Sequence, residues 1–135
     1  MDKKSMGGDY QVFAEYRERH PDSSATYCPP GGPGGNSTIT VAGVLDSETS
    51  PDFYEGAALA LARISPGSTL ELRLEGVRFI SSTGVGTLTR LLAEAEGAGV
   101  SVRVAGMSPA CADVFSVLGL LRYFGIPEEG ARPSP

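Results

Sequence analysis

The chain has 135 residues, of which 41% are hydrophobic and 20% charged, with a formal net charge of −5 at pH 7. That is the size of one domain with one modest core. Eleven Lys and Arg stand against 16 Asp and Glu without forming a basic cluster, which excludes a nucleic-acid surface, because backbone phosphates are held by clustered cations. Met1-Asp2-Lys3-Lys4 is followed by Ser5-Met6-Gly7-Gly8-Asp9, not by the apolar run of a signal peptide, and no apolar stretch is long enough to span a bilayer. A cytoplasmic protein without membrane insertion is therefore expected. Cys28 and Cys111 lie outside any Cys-x-x-Cys or Cys/His pattern and read as one loop thiol and one buried thiol, with no metal site.

Residues 1–37 read as an N-terminal extension. Tyr10, Phe13 and Ala14 set a short helical stripe within Tyr10–Arg19, ended by His20-Pro21. The run Cys28-Pro29-Pro30-Gly31-Gly32-Pro33-Gly34-Gly35 admits neither helix nor central strand and forms a linker or long loop. Tyr27 and its neighbours offer an edge strand, paired with the following strand across that loop. Regular patterning starts at Thr38, so that residues 38–127 form the folded unit and 128–135 a flexible tail.

Ile39 and Val41 alternate with Thr38, Thr40 and Ala42, as in a strand with one buried face. Ser50-Pro51 predicts an N-cap and a first-turn proline, and Phe53, Ala57, Ala60, Leu61 and Ile64 form a helical stripe closed by Ser65-Pro66-Gly67. Leu70, Leu72 and Leu74 alternate with Glu71, Arg73 and Glu75 in a second strand, which Val77, Phe79 and Ile80 carry to Ser81. Val85, Leu88, Leu91, Leu92 and Ala95 recur at helical spacing until Gly97 and Gly99. Val100, Val102 and Val104 give a third strand; Ser108-Pro109 repeats the cap-and-proline device before Cys111, Val114, Phe115 and Leu118, with Gly119 as the stop. Leu121, Tyr123, Phe124 and Ile126 suggest a short last strand.

Strands alternating with helices predict right-handed parallel crossovers in the order βαβαβαβ, an α/β fold. Strands buried on both faces read as continuous apolar runs, whereas Glu71, Arg73, Glu75, Ser101 and Arg103 all point to one face. The expectation is a two-layer fold, a small mostly parallel sheet with helices mainly on one face.

Ser82 falls at a strand-to-helix turn, where a nucleophile elbow would also lie. Gly-x-Ser-x-Gly is absent, no Ser-x-x-Lys surrounds Ser81 to Thr83, and the single histidine, His20, is remote and reads as a solvated surface residue. The segment Gly31 to Thr38 lacks the lysine and following helix of a phosphate loop; Gly84-Val85-Gly86 lacks the third glycine and the acidic residue of a dinucleotide site. Neither enzyme activity nor a cofactor is expected. What remains is Ser81-Ser82-Thr83-Gly84, three hydroxyls at a helix start where one suffices as a cap. Gly84 and Gly86 cost about 1 kcal/mol each relative to Ala in a helix and would let another protein approach the backbone. A phosphate here would add about −1.5 to −2 charges beside the positive end of the helix dipole, a surface switch that the fold tolerates.

At these residues the chain resembles the STAS-domain family of bacterial anti-sigma-factor antagonists. Gly43-Val44-Leu45-Asp46 is similar to the family's Gly-Glu-Leu-Asp, and Phe79-Ile80-Ser81-Ser82-Thr83-Gly84-Val85-Gly86 to its Phe-hydrophobic-Asp-Ser-Ser/Thr-Gly-Leu-Gly. Ser108-Pro109 with Leu118-Gly119-Leu120 is similar to its closing helix, so the resemblance spans residues 38–126. It implies a protein that binds an anti-sigma-factor serine kinase of the histidine-kinase-like ATPase type, freeing a sigma factor, until the kinase phosphorylates Ser82 and a phosphatase restores it. ATP and Mg²⁺ would belong to the kinase. Asp46, Ser81, Ser82, Thr83, Gly84 and Val85 would form the partner-binding surface. Ser81 stands where the family usually has aspartate, which makes Ser81 an alternative phosphoacceptor. The alternative function is a STAS scaffold subunit of a signalling or transporter-regulating complex, without phosphorylation of Ser82. Family members commonly carry a last helix beyond the position of Ile126, and the Tyr10/Phe13 face of the extension is expected to dock where that helix would lie. A polar outer sheet face suits a monomer or weak dimer.

Overall fold

The computed structural model describes residues 12–29 and 36–119. Strands β1 (Ser24–Cys28), β2 (Ser37–Leu45), β3 (Thr69–Ile80) and β4 (Ser101–Met107) lie side by side in the order β1-β2-β3-β4. Helix α1 (Ala14–Arg19) precedes β1, α2 (Ser50–Leu61) joins β2 to β3, α3 (Ser82–Gly97) joins β3 to β4, and α4 (Pro109–Val117) follows β4. β2, β3 and β4 are parallel, whereas β1 runs antiparallel to β2 with Tyr27 opposite Ile39, the edge pairing open to a strand across the Gly-rich loop.

One face of the sheet is covered. Leu70, Leu72 and Leu74 are at most 1% exposed and share a single core with Phe53, Ala57 and Ala60 of α2, Leu88 and Leu91 of α3, and Cys111 and Phe115 of α4. The intervening residues of β3 meet water, where Arg103 pairs with Glu71 at 3.0 Å and Arg73 with Glu75 at 3.1 Å. Such exposed pairs contribute little, so the apolar layer holds the fold, each fully buried large side chain stabilising by about 1.5–3 kcal/mol. The result is the two-layer, mostly parallel α/β arrangement that the strand alternation demands.

The extension belongs to the same core over its described residues. Phe13 and Tyr16 are buried; the Phe13 ring stacks on Phe53 with centroids 5.6 Å apart, and Tyr16 meets Phe53 edge-on at 5.8 Å. The short α1 cannot persist alone, and its docking on α2 supplies what helix propensity does not. Tyr10 lies outside the described residues, as do the suggested strand Leu121 to Ile126 and the tail 128–135.

Two local expectations change. Thr49, not Ser50, is the N-cap residue of α2; Pro51 keeps its place in the first turn, while Ser50 is inside the helix, 1% exposed, and its hydroxyl has no hydrogen-bond partner among the described residues. His20 is not a solvated surface residue: its side chain is 18% exposed, and Nε2 lies 2.8 Å from Asp52 Oδ2 on α2. Sequence distance hid that contact, since 32 residues separate the partners. Ser108 does cap α4, its Oγ accepting from Cys111 N–H at 3.1 Å.

Candidate functional site

β3 delivers the chain to Ser81, whose extended backbone (φ −96°, ψ 173°) makes it the N-cap of α3, with Oγ accepting from Gly84 N–H at 3.2 Å. One of the three hydroxyls is therefore committed to the cap. Ser82 and Thr83 are exposed, and the first turn of α3 holds no acidic residue, so no charge of the helix's own offsets its positive dipole end. Phe79, one strand residue earlier than the buried Ile80, is 52% exposed.

Leu45, at the end of β2, ties a second turn to this one. Ser81 N–H donates to the Leu45 carbonyl at 3.0 Å, and a Cβ at Gly84 would collide with that same oxygen. Gly84 is thus required by an internal approach of α3 to β2, not by the approach of another protein. Gly86, around which a Cβ would meet nothing, is the glycine that leaves its backbone open. Val85 is 2% exposed and packs in the core below the surface.

After Leu45, Asp46 folds back on its own turn. Its Oδ1 accepts from Glu48 N–H at 3.0 Å and Thr49 N–H at 3.1 Å, while Thr49 Oγ1 accepts from Asp46 N–H at 3.0 Å and donates to the Val44 carbonyl at 3.1 Å. The extension grips the same point: Ser23 Oγ is 3.0 Å from both the amide and the carbonyl of Val44, and the Tyr16 hydroxyl reaches that carbonyl at 3.5 Å. Gly43, with φ +91°, admits the approach, since a Cβ there would collide with the Asp22 carbonyl. Burial raises the Tyr16 hydroxyl above its ordinary pKa, outweighing hydrogen bonds to Ser23 and Thr49.

Between the Arg19–Ser23 segment and the Asp46–Thr49 turn opens a cleft of about 330 Å³, with Val44 in its wall. Among the described residues no group of His, Cys, Asp and Glu could hold a metal ion. Of the residues proposed from sequence, Asp46, Ser81, Ser82 and Thr83 come together at the adjoining β2 and β3 ends, while Gly84 and Val85 support them from inside. Ser23, Thr49 and the exposed Phe79 join the site without having been among the residues expected from sequence. Asp46-x-x-Thr49 is a reciprocal turn signal that was legible. Phe79 was not, because β-bulges against β2 break the alternation that would place it.

Residues 31–126 match the family model described as "Mlab, STAS domain". No curated protein matches the chain. Among solved structures, an anti-sigma factor antagonist from Mycobacterium paratuberculosis is 26% identical with a TM-score of 0.60, the match covering 78% of this chain and 86% of that one. The anti-sigma factor antagonist SpoIIAA in its unphosphorylated form is 21% identical with a TM-score of 0.59, over 80% of this chain and 92% of that one. SLC26A9 matches at 16% identity and a TM-score of 0.57, over 88% of this chain but 24% of its own length, a likeness of fold alone. No helix of the described residues is long and apolar enough to cross a membrane. With the family model covering well over half of its residues, the chain belongs to the STAS-domain family.

Proposed function

We propose that this protein is a cytoplasmic anti-sigma-factor antagonist that binds an anti-sigma-factor serine kinase through the start of α3 and is inactivated by phosphorylation of Ser82. The observation that carries the reading is the exposed Ser82 hydroxyl at the positive end of α3, whose first turn holds no acidic residue, beside a cap supplied by its neighbour. The likeness to an antagonist at 26% identity supports it. The protein contributes shape and a hydroxyl; the kinase contributes ATP, Mg²⁺ and catalysis, and a phosphatase reverses the step. A phosphate on Ser82 is tolerated by the helix dipole yet changes the docking surface by about −1.5 to −2 charges, enough to repel a partner fitted to a neutral hydroxyl. The Ser81 oxygen is engaged by Gly84 N–H, which leaves Ser82 the better-presented acceptor. Serine and aspartate cap a helix about equally well, so Ser81, where the family usually has aspartate, caps α3 without adding a charge. The partner surface is drawn from Asp46, Ser82, Thr83, Gly86 and Phe79, on a monomer or weak dimer.

Incubation with a neighbouring-gene kinase and ATP, read by intact mass and site mapping, tests this. One phosphate on Ser82, absent from Ser82→Ala, is expected, with kinase binding lost in Ser82→Asp. No phosphate on Ser82, together with unaltered partner binding by Ser82→Asp, favours a scaffold subunit instead. The lack of an acidic residue in the first turn of α3 is the observation on that side.

A further inference from the structure

The cleft between the extension and the β2–α2 turn lies apart from the Ser81 and Ser82 hydroxyls, neither of which lines it. We infer that this cleft, together with the exposed Phe79 that pairs with its wall residue Val44, is the socket for a partner-protein segment that presents a basic side chain next to an apolar one. This rests on the reading of the protein as a partner-binding module.

Val44, in the cleft wall, is the β-ladder neighbour of Phe79, and both point away from the buried pair Leu45 and Ile80. Paired strand residues share a face, so Val44 and the half-exposed Phe79 form one apolar step. Arg19, the arginine in the cleft lining, is already neutralised. Arg19 pairs with Glu15 and with Asp52, each at 3.1 Å, and His20 lies on the other oxygen of Asp52. The cleft's remaining carboxylates are not: Asp22 and Glu48 have no cationic partner among the described residues, and Asp46 bonds backbone amides through Oδ1. Negative charge is left around the partly enclosed Val44, where interaction with a cation exceeds that on open surface. A bare metal does not fit, because no group of three or more potential ligands among the described residues is arranged for one. A long-stemmed arginine or lysine does fit, its stem on Val44 and Phe79 and its head at the rim. The socket is continuous with the Ser82 surface, since Asp46 follows Leu45, whose carbonyl holds Ser81 N–H. Asp22 brings the extension into recognition, a role that the segment's packing alone does not give it.

The probe is a pair of capped tetrapeptides, leucine-arginine-leucine-arginine and leucine-glutamate-leucine-glutamate, titrated by NMR into the isotope-labelled full chain, with Mg²⁺ titrated separately. The arginine peptide is expected to give saturable shifts at Asp22, Val44, Asp46, Glu48 and Phe79, weakened by salt, while the glutamate peptide and Mg²⁺ give none there. Asp22→Asn combined with Glu48→Gln is expected to weaken the arginine peptide about tenfold, and Phe79→Ala by a comparable factor, with unchanged unfolding curves. No saturable shift, shifts confined elsewhere, an equal response to the glutamate peptide, or saturable Mg²⁺ binding at the rim overturns the socket. The two proposals fail separately. A kinase sensitive to Ser82→Asp but indifferent to the combined Asp22→Asn and Glu48→Gln rim variant sinks the socket and leaves the antagonist. Peptide binding as expected, with no kinase able to phosphorylate Ser82, does the reverse.

Discussion

Two strand-to-helix turns meet at the Leu45 carbonyl and use their polar groups in opposite ways. After β2, Asp46 and Thr49 direct theirs inward, into backbone amides and the Val44 carbonyl. After β3, Ser81 alone serves the cap, and Ser82 and Thr83 leave theirs in water. The first turn is a fastening and the second a display. A polar run at a helix start is read by which of its groups the backbone has already taken.

The contrast breaks most sharply at the shared oxygen. Gly84→Ala forces a Cβ onto the Leu45 carbonyl, which is backbone and cannot swing aside, and is expected to destabilise by about 3 kcal/mol in urea unfolding. Gly86→Ala, in open space within the same helix, is expected to stabilise by up to about 1 kcal/mol. Asp46→Ala removes two acceptor bonds of the fastening turn and should cost about 1–2 kcal/mol.

A smaller effect is expected in alkali. Burial raises the pKa values of Tyr16 and Cys111 above their ordinary 10.0 and 9.0, so in the folded state both keep their protons longer than in the unfolded chain. Their contribution to stability is complete below pH 9.0 and is lost as pH rises through the folded values. Unfolding free energy measured against pH should therefore fall above that point, and Tyr16→Phe should flatten the later part of the fall. Ser82→Ala sits at the far end, with a stability change within about 0.5 kcal/mol, because its side chain is exposed and carries no part of the cap. An unfolding curve shifted well beyond that would make Ser82 part of the fastening and erase the contrast.

Much of the architecture was legible because the sheet is half-buried. Leu70, Leu72 and Leu74 against Glu71, Arg73 and Glu75 state both the strand and the open face, and Ser108-Pro109 states a helix start, all within a few residues of chain. Ser50-Pro51 looked the same and was not, for the turn begun by Asp46 moved the cap to Thr49. The candidate site divided in the same way. Three hydroxyls ahead of a helical stripe were readable as a helix start, but which of them is a cap was settled by the Gly84 N–H that Ser81 reaches.

From the sequence alone came the alternation of strands and helices, the single covered face and the helix start at Ser81 to Gly84, since each depends on periodicity and on neighbours in the chain. Only the tertiary structure decided that Gly84 is there for Leu45, that Phe79 is exposed, and that Ser23 and His20 of the extension fasten Val44 and Asp52. Those outcomes depend on partners 21 to 39 residues away or on a bulged register, and neither leaves a local pattern.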